Sequence, residues 1–182
     1  LCAIERSLLN LHATFLYRRD GIEGVSRLLL GTRSELIPNL LQRFGAVVGE
    51  STRVCGPLSL QNAQAEGFKN LRIGRNCYIG KHVLLDLVES LELGDEVVLS
   101  ANVSIFTHAD PGERPLREFF PRRTARVVVG AGCWLGAGSI ILHGVTLGPC
   151  CVVGAGSVVT NDVPPYSVAA GVPARVIRVL RA

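Results

Sequence analysis

A chain of 182 residues fits one domain with room for a short appendage. Its 48% hydrophobic content against 5% aromatic predicts a core of thin Val, Ile, Leu and Ala layers, without the large rings of an ordinary globule. The net charge of +4 is carried almost wholly by Arg and dispersed over the N-terminal part, the Arg114–Arg126 region and the C-terminus, which excludes a nucleic-acid stripe and suits a small anionic ligand.

No apolar run nears the roughly 18 residues of a membrane-spanning helix, and no signal-peptide layout is present, so a cytoplasmic setting without membrane insertion is expected. The chain opens on Leu1 and holds no Met, which leaves room for a start removed upstream.

Residues 1–46 read as a helical cap. Ile4, Leu8, Leu9, Leu11, Phe15 and Leu16 share one helical stripe, predicting a helix from Ile4 to about Tyr17. A second helix is expected from Ser34 to Phe44, with Pro38 kinking it or delaying its start.

From residue 47 to 163 a period of six takes over. Val48, Val54 and Leu60 begin it, and Ile73, Ile79 and Leu85 keep the step. After a slip of two it resumes at Leu93, Leu99 and Ile105, then runs unbroken through Val129, Leu135, Ile141, Leu147, Val153 and Val159. Gly follows most of these aliphatics directly. Three residues after them stand Asn76, Asn102, Gly132, Gly138, Gly144 and Gly156, the residue types that enter positive φ at least cost. Four residues after them come small or β-branched side chains, among them Cys77, Cys133 and Cys151. With no C-x-x-C pair, the six Cys predict reduced core thiols and no structural zinc.

A helix would need apolar positions at three and four, and that pattern fails here. A six-residue unit cannot bury its own apolar face, so it must stack on copies of itself. Three units close a coil of about eighteen residues, and the hexads supply roughly five coils of a β-solenoid. The open apolar end of such a stack needs a cover, which is the role expected of the N-terminal helices.

Three irregularities interrupt the step. Gln61–Asn70 predicts a bulged coil or small loop. Asp86 stands where the hexad expects Gly, just before the two-residue slip. Residues 106–126 form a long inserted loop that opens Phe106-Thr107-His108-Ala109-Asp110-Pro111-Gly112, and long loops inside a compact repeat are usually functional. His108 leaves a rigid strand there, and a neutral imidazole near pH 7 suits proton removal. His82 falls at a positive-φ corner and His143 on an outward turn. The three solenoid imidazoles thus occupy unrelated hexad positions, against a three-His metal site of the γ-type carbonic anhydrase kind. Trp134, the one Trp, is either a site aromatic or packing. Pro164-Pro165 ends the solenoid, and residues 164–182 predict an extended segment with a short helix carrying Arg175 and Arg178, whose forked donors suit phosphates.

The stretch from His108 to Arg178 resembles the hexapeptide-repeat acyltransferases, in particular the maltose and galactoside O-acetyltransferases and related sugar acetyltransferases. The matching strings are Thr107-His108, Gly132-Cys133-Trp134-Leu135-Gly136-Ala137, Gly144-Val145-Thr146-Leu147-Gly148, Gly154 through Pro164, and Ala170-Gly171-Val172-Pro173-Ala174-Arg175-Val176-Ile177-Arg178. The resemblance implies an all-β, left-handed parallel β-helix, although parallel crossovers are otherwise right-handed in about 98% of cases. It also implies acetyl transfer from acetyl-CoA to a hydroxyl of a sugar or glycan precursor, with no metal.

Residue by residue, the resemblance makes His108 the general base and puts the Ala137 backbone N–H on the oxyanion. Ala155, Thr160 and Asn161 would follow the pantetheine arm or nucleotide, Asn161 standing where the family often has Lys. Arg175 and Arg178 would take phosphates, and Trp134 would lie near the site. Asp86 would contact the acceptor, against the simpler role of steadying an irregular corner. The resemblance further implies a homotrimer with CoA between neighbouring prisms, in a groove that the loop bearing Arg114, Phe119 and Phe120 helps to form. Two other functions fit the scaffold: N-acetylation of an amino sugar, and a catalytically silent assembly scaffold.

Overall fold

The computed structural model describes residues 2–180, so Leu1, Arg181 and Ala182, at the ends of the expected cap and extension, lie outside the described residues, as does the Cys2 thiol. Most hexad aliphatics end a short strand whose neighbours along the chain turn away, and its hydrogen-bond partners come from the coils above and below. The first coil holds β1 (Val47–Val48), β2 (Arg53–Val54) and β3 (Leu58–Gln61), and the second β4 (Leu71–Ile73), β5 (Tyr78–Ile79) and β6 (Val83–Asp86). The third holds β7 (Leu91–Leu93), β8 (Val98–Leu99) and β9 (Ser104–Ile105). A hairpin of β10 (His108–Ala109) and β11 (Arg123–Thr124) then leaves the stack. The fourth coil is β12 (Val127–Val129), β13 (Trp134–Leu135) and β14 (Ile140–Ile141). The fifth is β15 (Thr146–Leu147), β16 (Val152–Val153) and β17 (Val158–Val159), and β18 (Ser167–Gly171) and β19 (Ala174–Val179) close the chain.

Every third strand pairs in parallel, giving three faces. Face A is β1-β4-β7-β12-β15, face B begins β2-β5-β8-β13-β16, and face C is β3-β6-β9-β14-β17. In the regular part the register advances 18 residues per coil: Val128 pairs with Thr146, Trp134 with Val152, Ile140 with Val158. Earlier coils are longer, and the surplus has one address. The segments 62–70, 87–90 and 106–126 follow β3, β6 and β9, so all three leave the same prism edge, between faces C and A.

The corners carry the expected left-handed backbone, at Asn76 (φ 56°), His82 (58°), Asn102 (61°) and Gly138 (68°). Inside, the hexad aliphatics and the small residues four places on are buried, Cys77, Cys133 and Cys151 with them. The Gly after each aliphatic is required by coil spacing: a Cβ at Gly136 would lie 2.6 Å from the Ala155 nitrogen in the next coil.

The cap differs from the expectation. α1 runs Cys2–Leu29, well past Tyr17, through a break at Gly21 (φ 64°, ψ −157°). The stripe of Ile4, Leu8, Leu11 and Phe15 stays 57–71% exposed. The neighbouring seam of Leu9, Ala13 and Leu16 turns inward instead, small Ala13 allowing close approach, and the solenoid is met by Ile22, Val25 and Leu29. A 3-10 turn (Ser34–Leu36) leads to α2 (Ile37–Arg43), with Pro38 in its first turn, so proline sets a late start and no kink. α2 buries Ile37, Leu40 and Leu41 against β1 and β2. The 62–70 loop is tied to this cap: Phe68 is buried, packs edge-on to Phe44 at 6.3 Å, and Phe44 meets Tyr17 at 5.4 Å.

At the other end the expected short helix is absent. Residues 174–179 instead form β19, antiparallel to β18 and the outermost strand of face B. Arg175 and Arg178 therefore stand on a strand.

Candidate active site

The C/A edge collects the chemistry. Asp86, the last residue of β6, is fully buried. Its Oδ1 accepts the Asn62 amide at 2.7 Å. Its Oδ2 accepts the Thr107 N–H and lies near the Thr107 hydroxyl, each at 2.8 Å, and meets His108 Nδ1 at 2.7 Å. Burial by itself would raise the Asp86 pKa, but the hydrogen bonds from His108, Asn62 and Thr107 together hold it below the usual carboxylate range. An ionised carboxylate can only accept, so Nδ1 carries the proton and the Nε2 lone pair is left free. The His108 side chain keeps 24% of its surface exposed.

Beyond the acceptor contact or corner brace expected of it, Asp86 therefore orients the His108 ring, with Asn62 on one oxygen and Thr107 and His108 on the other.

One and two coils further along the same edge, register places His143 and Asn161 in line with Thr107, and exposed Thr160 beside Asn161. Consecutive coils are about 4.8 Å apart, so Asn161 lies about 10 Å from the start of the hairpin. The hairpin and the His143 corner enclose a cleft of about 450 Å³ lined by Asp110, Phe119, Phe120 and Arg123.

The other expected residues lie elsewhere. Ala137 and Ala155 stack at the edge between faces B and C, where the Gly156 N–H donates to the Ala137 carbonyl at 2.9 Å. Among the described residues the Ala137 N–H has no acceptor. Arg175 pairs with Ala170 near that edge, and Arg178 with Val168 further back along face B. Trp134 stands outward on face B, 53% exposed, its indole N–H donating to Ser100 at 3.0 Å. The strands of face C lie between this edge and the edge that carries His108.

Residues 126–161 match the family model for the bacterial transferase hexapeptide (six repeats), and residues 70–107 that for the hexapeptide repeat of succinyl-transferase. The galactoside O-acetyltransferase of Lactococcus lactis is 33% identical over 147 residues, 81% of this chain and 69% of that protein. The chain belongs to the hexapeptide-repeat acyltransferases. The galactoside O-acetyltransferase of Escherichia coli K12 is 35% identical over 140 residues, 77% of this chain and 66% of that one, so this acyltransferase spans about two thirds of these curated relatives. A solved galactoside acetyltransferase in complex with coenzyme A superposes with a TM-score of 0.76 at 30% identity, covering 93% of this chain and 82% of the other.

Within this acyltransferase, sequence reasoning missed the partners of His108. Asn62 lay in a segment read only as a break in the period. The Asp86–His108 pairing was readable in principle, since Leu85 and Ile105 are both hexad aliphatics and the register pairs them directly. Among the described residues no group of three or more His, Cys, Asp or Glu side chains is placed to hold a metal.

Proposed function

We propose that this protein is an acetyl-CoA-dependent O-acetyltransferase acting on a hydroxyl of a sugar or glycan precursor, with His108 as general base. The observation that carries the reading is the buried Asp86 carboxylate fixing Nδ1–H, which leaves the Nε2 lone pair free on a part-exposed ring. The names of the galactoside O-acetyltransferase relatives, and the coenzyme A complex of one structural neighbour, support the acyl donor and acceptor class.

In this reading Nε2 takes the proton of the acceptor hydroxyl as its oxygen bonds to the thioester carbonyl carbon. Asp86 stabilises the imidazolium so formed. The tetrahedral oxyanion rests on the Ala137 N–H, and collapse breaks the C–S bond, the proton on His108 passing to the departing CoA thiolate. Ala155, Thr160 and Asn161 line the path of the CoA arm, and Arg175 and Arg178 hold its phosphates.

His108 and Ala137 occupy different edges of one prism, so the site is completed by a neighbour, and the assembly is a homotrimer of left-handed prisms. Five described cysteines are free thiols, which supports a reducing, cytoplasmic setting.

The test is an acceptor screen that follows CoA release from acetyl-CoA, run with the native protein and His108→Ala. The expected result is turnover with a sugar hydroxyl, lowered about 10²–10⁴-fold in kcat by the substitution while CoA affinity holds. Turnover confined to an amino sugar would move the reaction to nitrogen. Undiminished activity in His108→Ala would remove the base.

A further inference from the structure

We infer that Glu89 is a positioning residue for His108, a clamp that holds both strands of the inserted hairpin at its base. This rests on the reading of His108 as the base. Glu89 sits in the two-residue slip between β6 and β7. Its backbone N–H donates to the Thr107 hydroxyl at 3.1 Å, immediately before His108. Its carboxylate accepts the Thr124 hydroxyl at 3.0 Å, and Thr124 is the residue directly across from His108 in the hairpin ladder. The Ala125 N–H, next in the chain, donates to the Thr107 carbonyl at 2.9 Å. One residue on a rigid coil therefore grips the strand that carries the base and the strand that faces it.

The arrangement gives the slip a purpose. Asp86 fixes the imidazole ring through Nδ1 but cannot fix the backbone beyond it. The hairpin spans residues 106–126: its outgoing strand is tied to the second coil by Thr107 and by the His108 ring on Asp86, and its return strand by Thr124 on Glu89. Loosening that joint lets the His108 backbone swing, and a displacement of about 1 Å at a reacting nitrogen is enough to cost rate. Glu89 itself touches no reacting atom.

Glu89→Ala and Thr124→Val are each expected to lower kcat about 3–10-fold, in line with one exposed hydrogen bond, with KM for acetyl-CoA unchanged. Glu89→Gln and Thr124→Ser, which keep the acceptor and the donor, should restore most of the loss. The double variant should be no worse than either single one, since both break the same contact. Placed in the His108→Ala background, Glu89→Ala should change the residual rate no further, because it acts through that ring. Native kcat in Glu89→Ala, additive losses in the double variant, or a further drop on top of His108→Ala would each overturn the clamp. Full activity in His108→Ala would instead overturn the base, so the two failures are distinguishable.

Discussion

Asp86 keeps its charge where burial disfavours it, because Asn62, Thr107 and His108 all point hydrogen-bond donors at it. Its pKa is lowered on folding, so the folded state binds its proton less tightly than the unfolded chain does. The stability this contributes is complete above the unfolded value of about 4 and is lost as pH falls through the folded pKa. Urea midpoints between pH 2.5 and 5 should therefore decline with acid more steeply for the native protein than for Asp86→Asn, and equal slopes would refute the assignment. Cys133 behaves in the opposite sense: burial pushes its thiol up to about 12. Here the folded state holds the proton, so stability falls as pH rises from about 9 toward 12. At pH 8 a thiol reagent should modify half-buried Cys150 before Cys133 in the native fold. His108 was legible in the sequence because a motif flanks it. Asp86 was singled out there too, but not as its partner, because it lies 22 positions upstream and the pairing follows only once the coils are set in register.

The hexads could be read strand by strand, since aliphatic, Gly, positive-φ corner and small inward residue each leave a separate mark. That logic distinguishes two glycines two places apart. Gly136 has no room for a Cβ, whereas Gly138 needs only positive φ, which Asn102 supplies at the equivalent corner of the coil before. Gly136→Val should cost about 3 kcal/mol or more and Gly138→Asn less than about 1, as read by denaturant midpoints. The elements outside the repeat were less legible. The exposed stripe of α1 and its inward seam are both apolar, and Gly21 shifts the phase between the halves, so composition could not say which side meets the solenoid. At the C-terminus the β-branched residues Val176, Ile177 and Val179 suit a strand, and that preference outweighed the expected helix.

At the scale of the molecule, three insertions share one edge and two stacked alanines another, and the proposed site draws on both. In the proposed trimer, mixing His108→Ala with Arg175→Ala subunits should restore some activity, since a hybrid can pair an intact His108 edge with an intact Arg175 edge. Failure of the mixture, together with a fully active monomer in sedimentation, would place the whole site in one chain. The antiparallel β19 has a consequence of a different kind. A stack of parallel coils is a template that invites another stack to continue it, and unguarded ends of this type seed fibres. Helices occupy one end, and at the other the last strand of face B runs against the direction of the coils, presenting the wrong polarity for growth. A chain cut after Val172 should then scatter light progressively as its concentration rises, while the native chain stays clear: on face B the reversal of one six-residue strand withholds the parallel edge that a further coil would extend.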